Sequence, residues 1–594
     1  MTYRAPVEDI LFAMRHVAGM DMAIENGLYP DLADGVAEAV LEEAGKFAAE
    51  RLAPLNRAGD LEGARLVGGK VVMPKGVTEA YRDWADGGWA GVASPEEHGG
   101  QGLPILINIA CTELWNSANM AFALNPLLTM GAIEALVAHG SAELQRLYLG
   151  KMISGEWTGT MNLTEPQAGS DLNLLTSRAD PVGDGSYRIT GQKIFITYGD
   201  HEMTENIVHL VLARLPDAPP GTRGISLFLV PKFLVNKDGT LGAHNDLRCH
   251  ALEHKIGIHG SPTATMIYGD NGGAIGYLIG EENKGLACMF TMMNNARLAV
   301  GTQGVAIAER AYQQALAYAG ERRQGRASGA ATASPILHHP DIKRMLLEMR
   351  VKIGAARSLC LLTATALDKA HRAADAAERK AAHEEASLLT PVAKAFSTDI
   401  GNEVASLGVQ IHGGMGFVEE TGAGQHFRDA RILPIYEGTN GIQAIDLVMR
   451  KLPLSEGGAV RALIARYAKA AEQARAVNDP GFQRIGERLG EAVAALSRTS
   501  EFLLGVMKAA PDTALAGATP YLRLFATAAG GAHLAEMALA ARDALSAGDS
   551  DPRHQERIRD ARFFAENLAP LASGLEFSVV DGGEAINAAF AAQA

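Results

Sequence analysis

The chain holds one glutamate in a setting suited to proton abstraction from carbon. Glu437 lies between Tyr436 and Gly438, with Thr439 directly after, in the stretch 434–443 (Pro-Ile-Tyr-Glu-Gly-Thr-Asn-Gly-Ile-Gln). An apolar, tightly turned setting disfavours a charged carboxylate and raises its pKa toward neutrality. Removal of a weakly acidic C–H proton needs that shift, because an ordinary Glu carboxylate is a weak base. The alternative is a glutamate with a structural role at the start of a helix.

Two further segments carry residues that suit a planar, partly polar ligand. Residues 161–171 (Met-Asn-Leu-Thr-Glu-Pro-Gln-Ala-Gly-Ser-Asp) place Thr164, Ser170 and several backbone amides in a bent loop. Such a loop can hydrogen-bond a heterocycle or a phosphate. Phe195 and Thr197 set a hydroxyl beside an aromatic ring at the end of a predicted strand, which suits a flavin-like ring system. Each segment alone is also compatible with ordinary structural sequence.

A glycine-rich segment, residues 410–417 (Gln-Ile-His-Gly-Gly-Met-Gly-Phe), is a third candidate. Its glycines allow the backbone to approach a phosphate or a ribose closely. The segment follows a predicted helix rather than a strand, so it lacks the context of a dinucleotide-binding βαβ unit. His412 is interpreted as structural. Arg297 and Arg322 are plausible anchors for a ligand rich in phosphates, although isolated helical arginines are mostly solvated.

Four segments of different character must position these residues. Residues 1–155 are predicted to be mainly helical, and residues 156–284 to form a mostly antiparallel β domain, either a barrel or a sandwich. Residues 285–454 contain four long stretches with apolar residues at helical spacing, which indicate a four-helix bundle. Residues 455–594 form an Ala-rich helical extension with a packing or subunit-contact role. Within the β domain, residues 187–197 are expected to form two short strands around a glycine turn.

Composition excludes several classes of protein. The net charge of −14 over 594 residues argues against nucleic acid as a partner and against a basic membrane-binding surface. Four widely spaced cysteines without a CxxC pair indicate reduced thiols rather than disulfides or a zinc site, and no metal is expected. No signal peptide and no run of about 18 apolar residues is visible, so we expect a cytoplasmic protein without an integral membrane segment.

Taken in order, these motifs resemble the acyl-CoA dehydrogenase family over roughly residues 12–452. Leu-Thr-Glu-Pro-x-Ala-Gly-Ser-Asp at 163–171 is similar to the first family signature, and 410–417 with Arg428-Asp429 is similar to the second. Tyr-Glu-Gly-Thr at 436–439 is similar to the catalytic turn. The resemblance implies an N-terminal helical domain, a β-barrel middle domain and a four-helix bundle, with the C-terminal helical domain added.

The resemblance also implies roles for individual residues. Glu437 would take the α-proton of an acyl-CoA thioester, flavin N5 of FAD would take hydride from the β-carbon, and a trans-2-enoyl-CoA would result. Electrons would leave to an electron-transfer flavoprotein. The positions that match FAD contacts are Met161, Leu163, Thr164, Ser170, Phe195, Thr197, Arg322, Gln410, Gly413, Gly414 and Thr439. Those that match contacts to the acyl-CoA substrate are Ser170, Arg297, Tyr436 and Gly438.

Three of the FAD positions imply a dimer. Arg322, Gln410 and Gly413 match residues that hold the ADP part of FAD in a neighbouring subunit, so a homodimer is expected. Several positions depart from the common pattern, among them Phe195 and Gly441: Phe195 stands where many members have Trp, and Gly441 where many have Gln. The first change preserves an aromatic wall, whereas the second puts one FAD contact in doubt.

A resemblance to one branch of the family predicts the substrate. Glu-Arg-Arg-Gln-Gly at 321–325, His-His-Pro-Asp at 338–341 and the long C-terminal extension resemble the 3-methylmercaptopropionyl-CoA dehydrogenase branch of dimethylsulfoniopropionate catabolism. The expected substrate is therefore 3-methylthiopropanoyl-CoA. The alternatives are a straight-chain fatty acyl-CoA dehydrogenase of β-oxidation, an acyl-CoA oxidase and a non-catalytic acyl-CoA-binding protein.

Overall fold

The structure is a computed structural model that describes residues 3–589. The chain divides into two compact units, composed of the following segments: Met1–Gly45, Ile109–Ser117 and Arg297–Ala594 in the first; Lys46–Asn108 and Ala118–Ala296 in the second. The predicted first and last domains also include residues 1–2 and 590–594, which lie outside the described residues. The boundaries of the four predicted domains stay a prediction.

Helices dominate the region before residue 155, as the apolar spacing predicts. The helices are α1 (Val7–His16), α2 (Met20–Glu25), α3 (Val36–Phe47), α4 (Ala53–Glu62), α5 (Val77–Asp86), α6 (Ile105–His139) and α7 (Ala142–Ile153). A π-helical turn, Ala48–Leu52, continues α3 into α4. Helix α6 changes direction at Asn119, which has extended backbone angles (φ −158°, ψ 91°). The Asn119 side chain accepts a hydrogen bond from the Phe122 N–H, so it caps the second half of α6.

Two helices are long and apolar enough to cross a membrane when judged by length and composition alone. They are α6 and Ala518–Ser546, and 78% and 83% of their most apolar windows are buried inside the protein. A buried core helix passes the same test, so composition does not make either one a membrane segment. The expected absence of an integral membrane segment and the expected cytoplasmic location stay predictions.

The β region closes on itself. The strands are β1 (Arg65–Val67), β2 (Lys70–Val72), β3 (Trp157–Asn162), β4 (Arg178–Pro181), β5 (Ser186–Thr197), β6 (Asn206–Arg214), β7 (Ile225–Pro231), β8 (Phe233–Val235), β9 (Leu241–His244), β10 (Leu247–Leu252), β11 (Thr263–Tyr268) and β12 (Ala274–Ile279). Strand β5 pairs with β12, β12 with β7, β7 with β6, β6 with β4, and β4 with β5 again. This circuit is a small barrel, mostly antiparallel, and β10 and β11 extend it beyond β5.

One local expectation in the β region is wrong. Residues 186–197 form a single strand, β5, and not two short strands around a glycine turn. Gly191 stays in the strand at φ +146°, and a Cβ there would lie 2.4 Å from the Ser177 Oγ. Glycine is therefore needed at this position for the close approach of Ser177, and not for a reversal of the chain.

The predicted bundle region contains three long helices and two short ones. The helices are α8 (Gly285–Glu321), α9 (Pro340–Arg372), α10 (Ala376–His412), α11 (Ala423–Ala430) and α12 (Asn440–Asp446). The fourth predicted helix, residues 442–452, is divided between α12 and a π-helical turn, Leu447–Lys451. The Leu452 N–H donates to the Leu447 carbonyl, five residues earlier, where an α-helix would use a four-residue step.

The C-terminal extension is helical throughout its described part and packs on the bundle. Its helices are α13 (Gly458–Ala476), α14 (Pro480–Val506), α15 (Pro511–Ala516), α16 (Ala518–Ser546), α17 (Pro552–Asn567), α18 (Leu571–Val580) and α19 (Gly583–Ala588). A Cβ at Gly530 of α16 would lie 2.7 Å from the Cβ of Ala355 of α9. The small residues on both helices thus permit close packing. An ion pair between Arg350 and Asp560, at 2.6 Å, ties α9 to α17.

Candidate active site

Glu437 occupies a left-handed turn directly before α12. Its φ is +56°, and Gly438 follows at +78°. A Cβ on Gly438 would lie 2.9 Å from the Gln443 Nε2, so a side chain at this position would displace that amide. A non-glycine residue at positive φ costs free energy unless its surroundings hold it, and such residues cluster at functional sites. The turn must therefore be fixed by its neighbours.

Hydrogen bonds on both sides of Glu437 supply that fixation. The Gln443 Nε2 donates to the Glu437 carbonyl oxygen at 3.0 Å. The Asn440 N–H donates to the Pro434 carbonyl at 3.0 Å, which closes the loop around Glu437. The Thr439 hydroxyl accepts from the Ile442 N–H at 3.2 Å and so caps α12.

The ring of Tyr436 is anchored by a relay of amides. Its hydroxyl donates to the Gln303 Oε1, and the Gln303 Nε2 donates to the Asn116 Oδ1 at 3.0 Å. Asn116 in turn donates to the Thr112 carbonyl at 2.8 Å. Gln303 and Asn116 are buried, so each hydrogen bond is made away from water. The relay fixes the residue directly before Glu437.

The Glu437 carboxylate lies in a poorly hydrated environment with two cations nearby. Burial raises the pKa of Glu437 to about 7, and the positive charges of Arg297 and Lys394 oppose that rise only in part. No side chain or amide of the described residues donates a hydrogen bond to the Glu437 carboxylate. A carboxylate that is poorly solvated and not hydrogen-bonded is a stronger base than an exposed one.

The backbone N–H of Glu437 is also unused. Within residues 3–589 it has no acceptor, whereas the Glu437 carbonyl is bound by Gln443. A free N–H beside a carboxylate base can donate to a carbonyl oxygen of a bound molecule.

Arg297 and Lys394 approach the turn from different helices. Arg297 of α8 is buried, and its Nη1 lies 3.6 Å from the Asp446 Oδ2 of α12. Lys394 of α10 is fully buried, and its Nζ donates to the Gly438 carbonyl and to the Asn440 Oδ1, both at 2.9 Å. Arg297 was expected from the sequence, whereas Lys394 was not.

In the second unit, the loop after β3 and the end of β5 lie side by side. The Lys193 Nζ donates to the Leu163 carbonyl at 3.1 Å, and the Ile194 N–H donates to the Thr164 carbonyl at 2.9 Å. Leu163, Thr164 and Phe195, all expected from the sequence as flavin contacts, are thus brought to one edge of the barrel. Thr197 belongs to the same edge, since its carbonyl accepts from the Thr160 hydroxyl at 2.7 Å.

Phe195 has the properties of a ligand-facing aromatic residue. It adopts φ +59°, and 60% of its surface is exposed. Exposed large aromatic residues in strained backbone are unusual in a core strand. Met161 is buried in β3, directly before the loop, and Ser170 is exposed at its far end. The edge therefore offers an aromatic wall beside backbone and hydroxyl groups, which fits an isoalloxazine ring.

A buried ion pair supports this edge from behind. Glu165 and Lys193 are almost inaccessible, and the Lys193 Nζ lies 2.8 Å from the Glu165 Oε1. The Glu165 carboxylate also accepts from the amides and hydroxyls of Thr176 and Ser177, at 2.6–3.0 Å. Burial alone would raise the pKa of Glu165, but the Lys193 charge and these hydrogen bonds lower it to about 2. Glu165 is a permanently ionised structural group.

The remaining expected cofactor residues lie at the ends of α8 and α10. Arg322, Gln410, Gly413 and Gly414 are all exposed. The two helix ends meet where the ring of Tyr318, four residues before Arg322, stacks on His412 at a centroid distance of 4.4 Å. The His412 Nδ1–H donates to the Gly408 carbonyl at 2.7 Å, which agrees with the structural role that the sequence indicates.

Several residues of the site were missed from the sequence. They are Lys394, Gln303, Asn440 and Gln443 around the turn, and Glu165 and Lys193 behind the barrel edge. A signal for the two lysines was present, because each stands in an apolar run where a buried, unpaired ammonium would be costly. Their partners are distant in sequence, and no spacing rule predicts them.

Two further observations concern possible metal or thiol chemistry. All four cysteines are buried free thiols. Among the residues that the structure describes, no group of three His, Cys, Asp or Glu side chains is arranged to hold a metal ion.

Known protein families match almost the whole chain. Models of the N-terminal, middle and C-terminal domains of acyl-CoA dehydrogenases match residues 36–156, 160–271 and 283–452. A model described as acetyl-CoA dehydrogenase C-terminal like matches residues 459–589.

Individual relatives match over nearly their full length. A 3-methylmercaptopropionyl-CoA dehydrogenase of Ruegeria pomeroyi is 49% identical over 588 residues, which is 99% of each chain. A butyryl-CoA dehydrogenase of Syntrophomonas wolfei is 33% identical over 96% of this chain and 95% of its own. The crystal structure of an acyl-CoA dehydrogenase from Bacillus anthracis complexed with FAD has a similar fold, with a TM-score of 0.75 at 21% identity, covering 93% of this chain and 90% of that one.

The matches to three consecutive domain models and the identity across whole chains decide the family. The predicted fold class is confirmed: a mainly helical chain with a β-barrel middle region and a C-terminal helical domain. The chain belongs to the acyl-CoA dehydrogenase family, flavoprotein oxidoreductases that act on CH–CH groups.

Proposed function

We propose that this protein catalyses the FAD-dependent α,β-dehydrogenation of an acyl-CoA thioester to the trans-2-enoyl-CoA. The observation that carries the proposal is the Glu437 turn. There a carboxylate without hydrogen bonds has its pKa raised to about 7 and stands next to a free backbone N–H.

Glu437 takes the α-proton of the substrate in this proposal. The carboxylate must be ionised to accept a proton, and a pKa near 7 gives it both a useful ionised fraction and useful basicity at neutral pH. The left-handed backbone, held by Gln443 and Asn440, fixes the point from which the Glu437 side chain extends. Positioning of this kind contributes to the rate because little reorganisation remains at the moment of transfer.

The thioester carbonyl is polarised by the Glu437 N–H. A hydrogen bond to that oxygen acidifies the α-proton, since it stabilises the charge that develops as the proton leaves. The same residue thus supplies the base and one donor. Tyr436 and Gly438 lie on either side of Glu437, and Arg297 is proposed to contact the acyl-CoA substrate.

FAD, when bound, supplies the two-electron acceptor for the hydride that leaves the β-carbon. The residues proposed to hold its ring are Met161, Leu163, Thr164, Ser170, Phe195, Thr197 and Thr439. The exposed aromatic face of Phe195 and the neighbouring backbone carbonyls support this assignment. FAD is further supported by its presence in the Bacillus anthracis structure of the same fold.

The protein is proposed to act as a homodimer that passes electrons to an electron-transfer flavoprotein. Arg322, Gln410, Gly413 and Gly414 are exposed at the joined ends of α8 and α10, where they are free to hold the ADP part of FAD from a second subunit. Met415 and Phe417, exposed by 46% and 93%, extend the same surface with apolar area that a partner subunit can cover.

The proposed substrate is 3-methylthiopropanoyl-CoA. Support comes from the relative that is 49% identical over whole chains and is named 3-methylmercaptopropionyl-CoA dehydrogenase. A second candidate is a straight-chain acyl-CoA, because a relative of similar coverage is a butyryl-CoA dehydrogenase. The higher sequence identity favours 3-methylthiopropanoyl-CoA over a straight-chain acyl-CoA.

An anaerobic titration tests the reaction and the substrate together. The purified flavoprotein is mixed with 3-methylthiopropanoyl-CoA, with its isosteric straight chain pentanoyl-CoA, and with butanoyl- to palmitoyl-CoA, while the oxidised flavin absorbance is followed. Bleaching by any of them supports the dehydrogenase half-reaction, and preference for the thioether over pentanoyl-CoA supports the substrate. Bleaching by no member, with flavin present, contradicts the proposal.

Re-oxidation separates the alternatives that share this half-reaction. An acyl-CoA oxidase would form hydrogen peroxide rapidly in air without an electron-transfer flavoprotein, whereas a dehydrogenase is re-oxidised slowly by oxygen. A protein purified without flavin, unable to take it up, would indicate a non-catalytic acyl-CoA-binding protein.

A further inference from the structure

Lys394 is a fully buried ammonium whose two direct partners both belong to the catalytic turn. Its Nζ donates to the Gly438 carbonyl and to the Asn440 Oδ1, each at 2.9 Å. The helix around it is apolar, with Val392 and Phe396 buried on either side. A charge in such a place is costly unless it is bound, so the turn and the lysine hold each other in place.

Asn440 extends this attachment along α10. Its Nδ2 donates to the Ala395 carbonyl at 3.1 Å, to the Thr398 hydroxyl at 3.0 Å and to the Asp399 Oδ1 at 2.7 Å. The segment 438–440 is therefore bound to α10 through one ammonium and one carboxamide. Glu437 is the residue immediately before this bound segment.

The two cations that face Glu437 differ in how far they are neutralised. Arg297 of α8 has a carboxylate partner, Asp446, which also binds Arg450 at 2.5 Å. The direct partners of Lys394 are neutral oxygens, and among the described residues the charges of Glu437 and Asp399 act on it. Both charges lower the pKa of Glu437, Arg297 by the larger amount and Lys394 by the smaller.

The protonation behaviour of the two groups agrees with this geometry. Burial lowers the pKa of Lys394 to about 7, with Glu437 and Asp399 opposing the shift. Burial raises the pKa of Glu437 to about 7, with Arg297 and Lys394 opposing it. Two groups this close titrate as a pair, and the protonated lysine favours the ionised glutamate.

We propose that Lys394 is a positioning residue for the reaction: it fixes the backbone of the catalytic turn and keeps the Glu437 carboxylate ionised by its charge. The inference rests on the proposed function in that Glu437 is taken as the base. Lys394 itself touches neither substrate nor cofactor in this proposal.

Two substitutions separate the charge from the hydrogen bonds. Lys394→Met removes both, whereas Lys394→Gln removes the charge and keeps an amide donor within reach of the turn. Asn440→Ala is the matched control, since it removes the carboxamide bonds to α10 and one acceptor of Lys394 but keeps the ammonium and its bond to the Gly438 carbonyl. Flavin content and the visible flavin spectrum of each holoenzyme show whether the fold is kept, and Lys394→Gln remains readable if Lys394→Met does not fold.

The first readout is the pH dependence of flavin reduction in rapid mixing. An opposite charge at close range lowers a carboxyl pKa by about 1–3 units. We expect both lysine variants to shift the rising limb by about one pH unit to the alkaline side, and to be about fivefold slower at pH 7 and about tenfold slower well below it. Asn440→Ala is expected to be slower with an unshifted midpoint. An unshifted midpoint in both lysine variants overturns the proposal.

The second readout does not need turnover. The protonated carboxyl of Glu437 has an infrared C=O band, which Glu437→Gln identifies by its loss. Its titration midpoint should rise in Lys394→Met and Lys394→Gln, and an unchanged midpoint rejects the proposal. If the band shifts but no acyl-CoA bleaches the wild-type flavin, the proposed function fails while the role of Lys394 stands.

Discussion

Glu165 and Glu437 are two carboxylates of this protein that each lie near a buried lysine, yet they behave in opposite ways. Glu165 sits behind the barrel edge, paired with Lys193 at 2.8 Å, and its pKa is lowered to about 2. Glu437 sits in the turn before α12 with Lys394 nearby, and its pKa is raised to about 7. Glu165 is buried and Glu437 is half-buried, so burial, which raises a carboxyl pKa, does not explain why the more buried group has the lower value.

Direct contacts to the carboxylate explain it, the charge of Lys193 first and hydrogen bonds second. Glu165 accepts from both the amide and the hydroxyl of Thr176 and of Ser177, in addition to the lysine. Glu437 accepts none from the described residues at its carboxylate. Donors stabilise the charged form more than burial penalises it, and without them burial prevails. A buried lysine lies near both glutamates, but only Lys193 contacts the carboxylate directly, and further hydrogen bonds add to its effect on Glu165.

The largest expected effect separates the two glutamates by activity. Glu437→Gln should retain flavin but reduce acyl-CoA-dependent flavin reduction by about 10²–10⁴-fold, the range over which a general base contributes. Rapid-mixing absorbance under anaerobic conditions measures this rate. Its free energy of unfolding should stay close to that of the wild type, because no hydrogen bond to the carboxylate is lost. Wild-type activity in this variant would remove Glu437 from the mechanism.

The second effect distinguishes Glu165 from Glu437 by the free energy of unfolding. Glu165→Gln leaves the Lys193 ammonium buried without its counterion, and breaking a buried pair costs about 3–5 kcal/mol. Urea unfolding should show this loss, together with weaker flavin retention, since Lys193 also holds the Leu163 carbonyl. The double variant Glu165→Gln/Lys193→Met should be less destabilised than Glu165→Gln alone. Equal losses in both would mean that the ion pair is not the cause.

A third effect distinguishes the two glutamates by the pH dependence of activity and of stability. Flavin reduction should rise with pH through a midpoint near 7, because Glu437 acts only when ionised and its pKa is raised. Glu165 has a lowered pKa, so its contribution to stability is complete above the ordinary Glu value of about 4.3 and is lost as pH falls toward 2. Between about pH 6 and pH 5, activity should fall while the unfolding free energy is retained. A parallel fall of both quantities in this interval would contradict the assignment of separate roles.

The smallest effect tests the turn itself. Thr439→Ala removes the cap of α12 and should cost about 1 kcal/mol in the free energy of unfolding. Urea denaturation measures the loss. Thr439→Ser keeps the hydroxyl and serves as the control, with a much smaller loss expected. Equal stability of Thr439→Ala and wild type would show that the turn is held by Gln443, Asn440 and Lys394 without the cap.

Much of the fold could be predicted from local patterns. Apolar spacing at 3.6 residues indicated the helices of the bundle and of the extension, and β-branched runs indicated β6, β7 and β11. The prediction was wrong where a residue is required by a contact with a residue distant in sequence. Gly191 was interpreted as a turn, but its missing side chain makes room for Ser177.

The sequence by itself determined the family and the identity of the proposed base. Three motifs in a fixed order carry that information, and Glu437 with its Tyr, Gly and Thr neighbours can be identified by inspection. Only the tertiary structure decided the protonation state of each carboxylate. Lys394 stands 43 residues before Glu437, and Ser177 and Lys193 come from other segments than Glu165. Burial, charge and hydrogen bonds act through space, so the same residue type becomes an anion in one place and a base in the other.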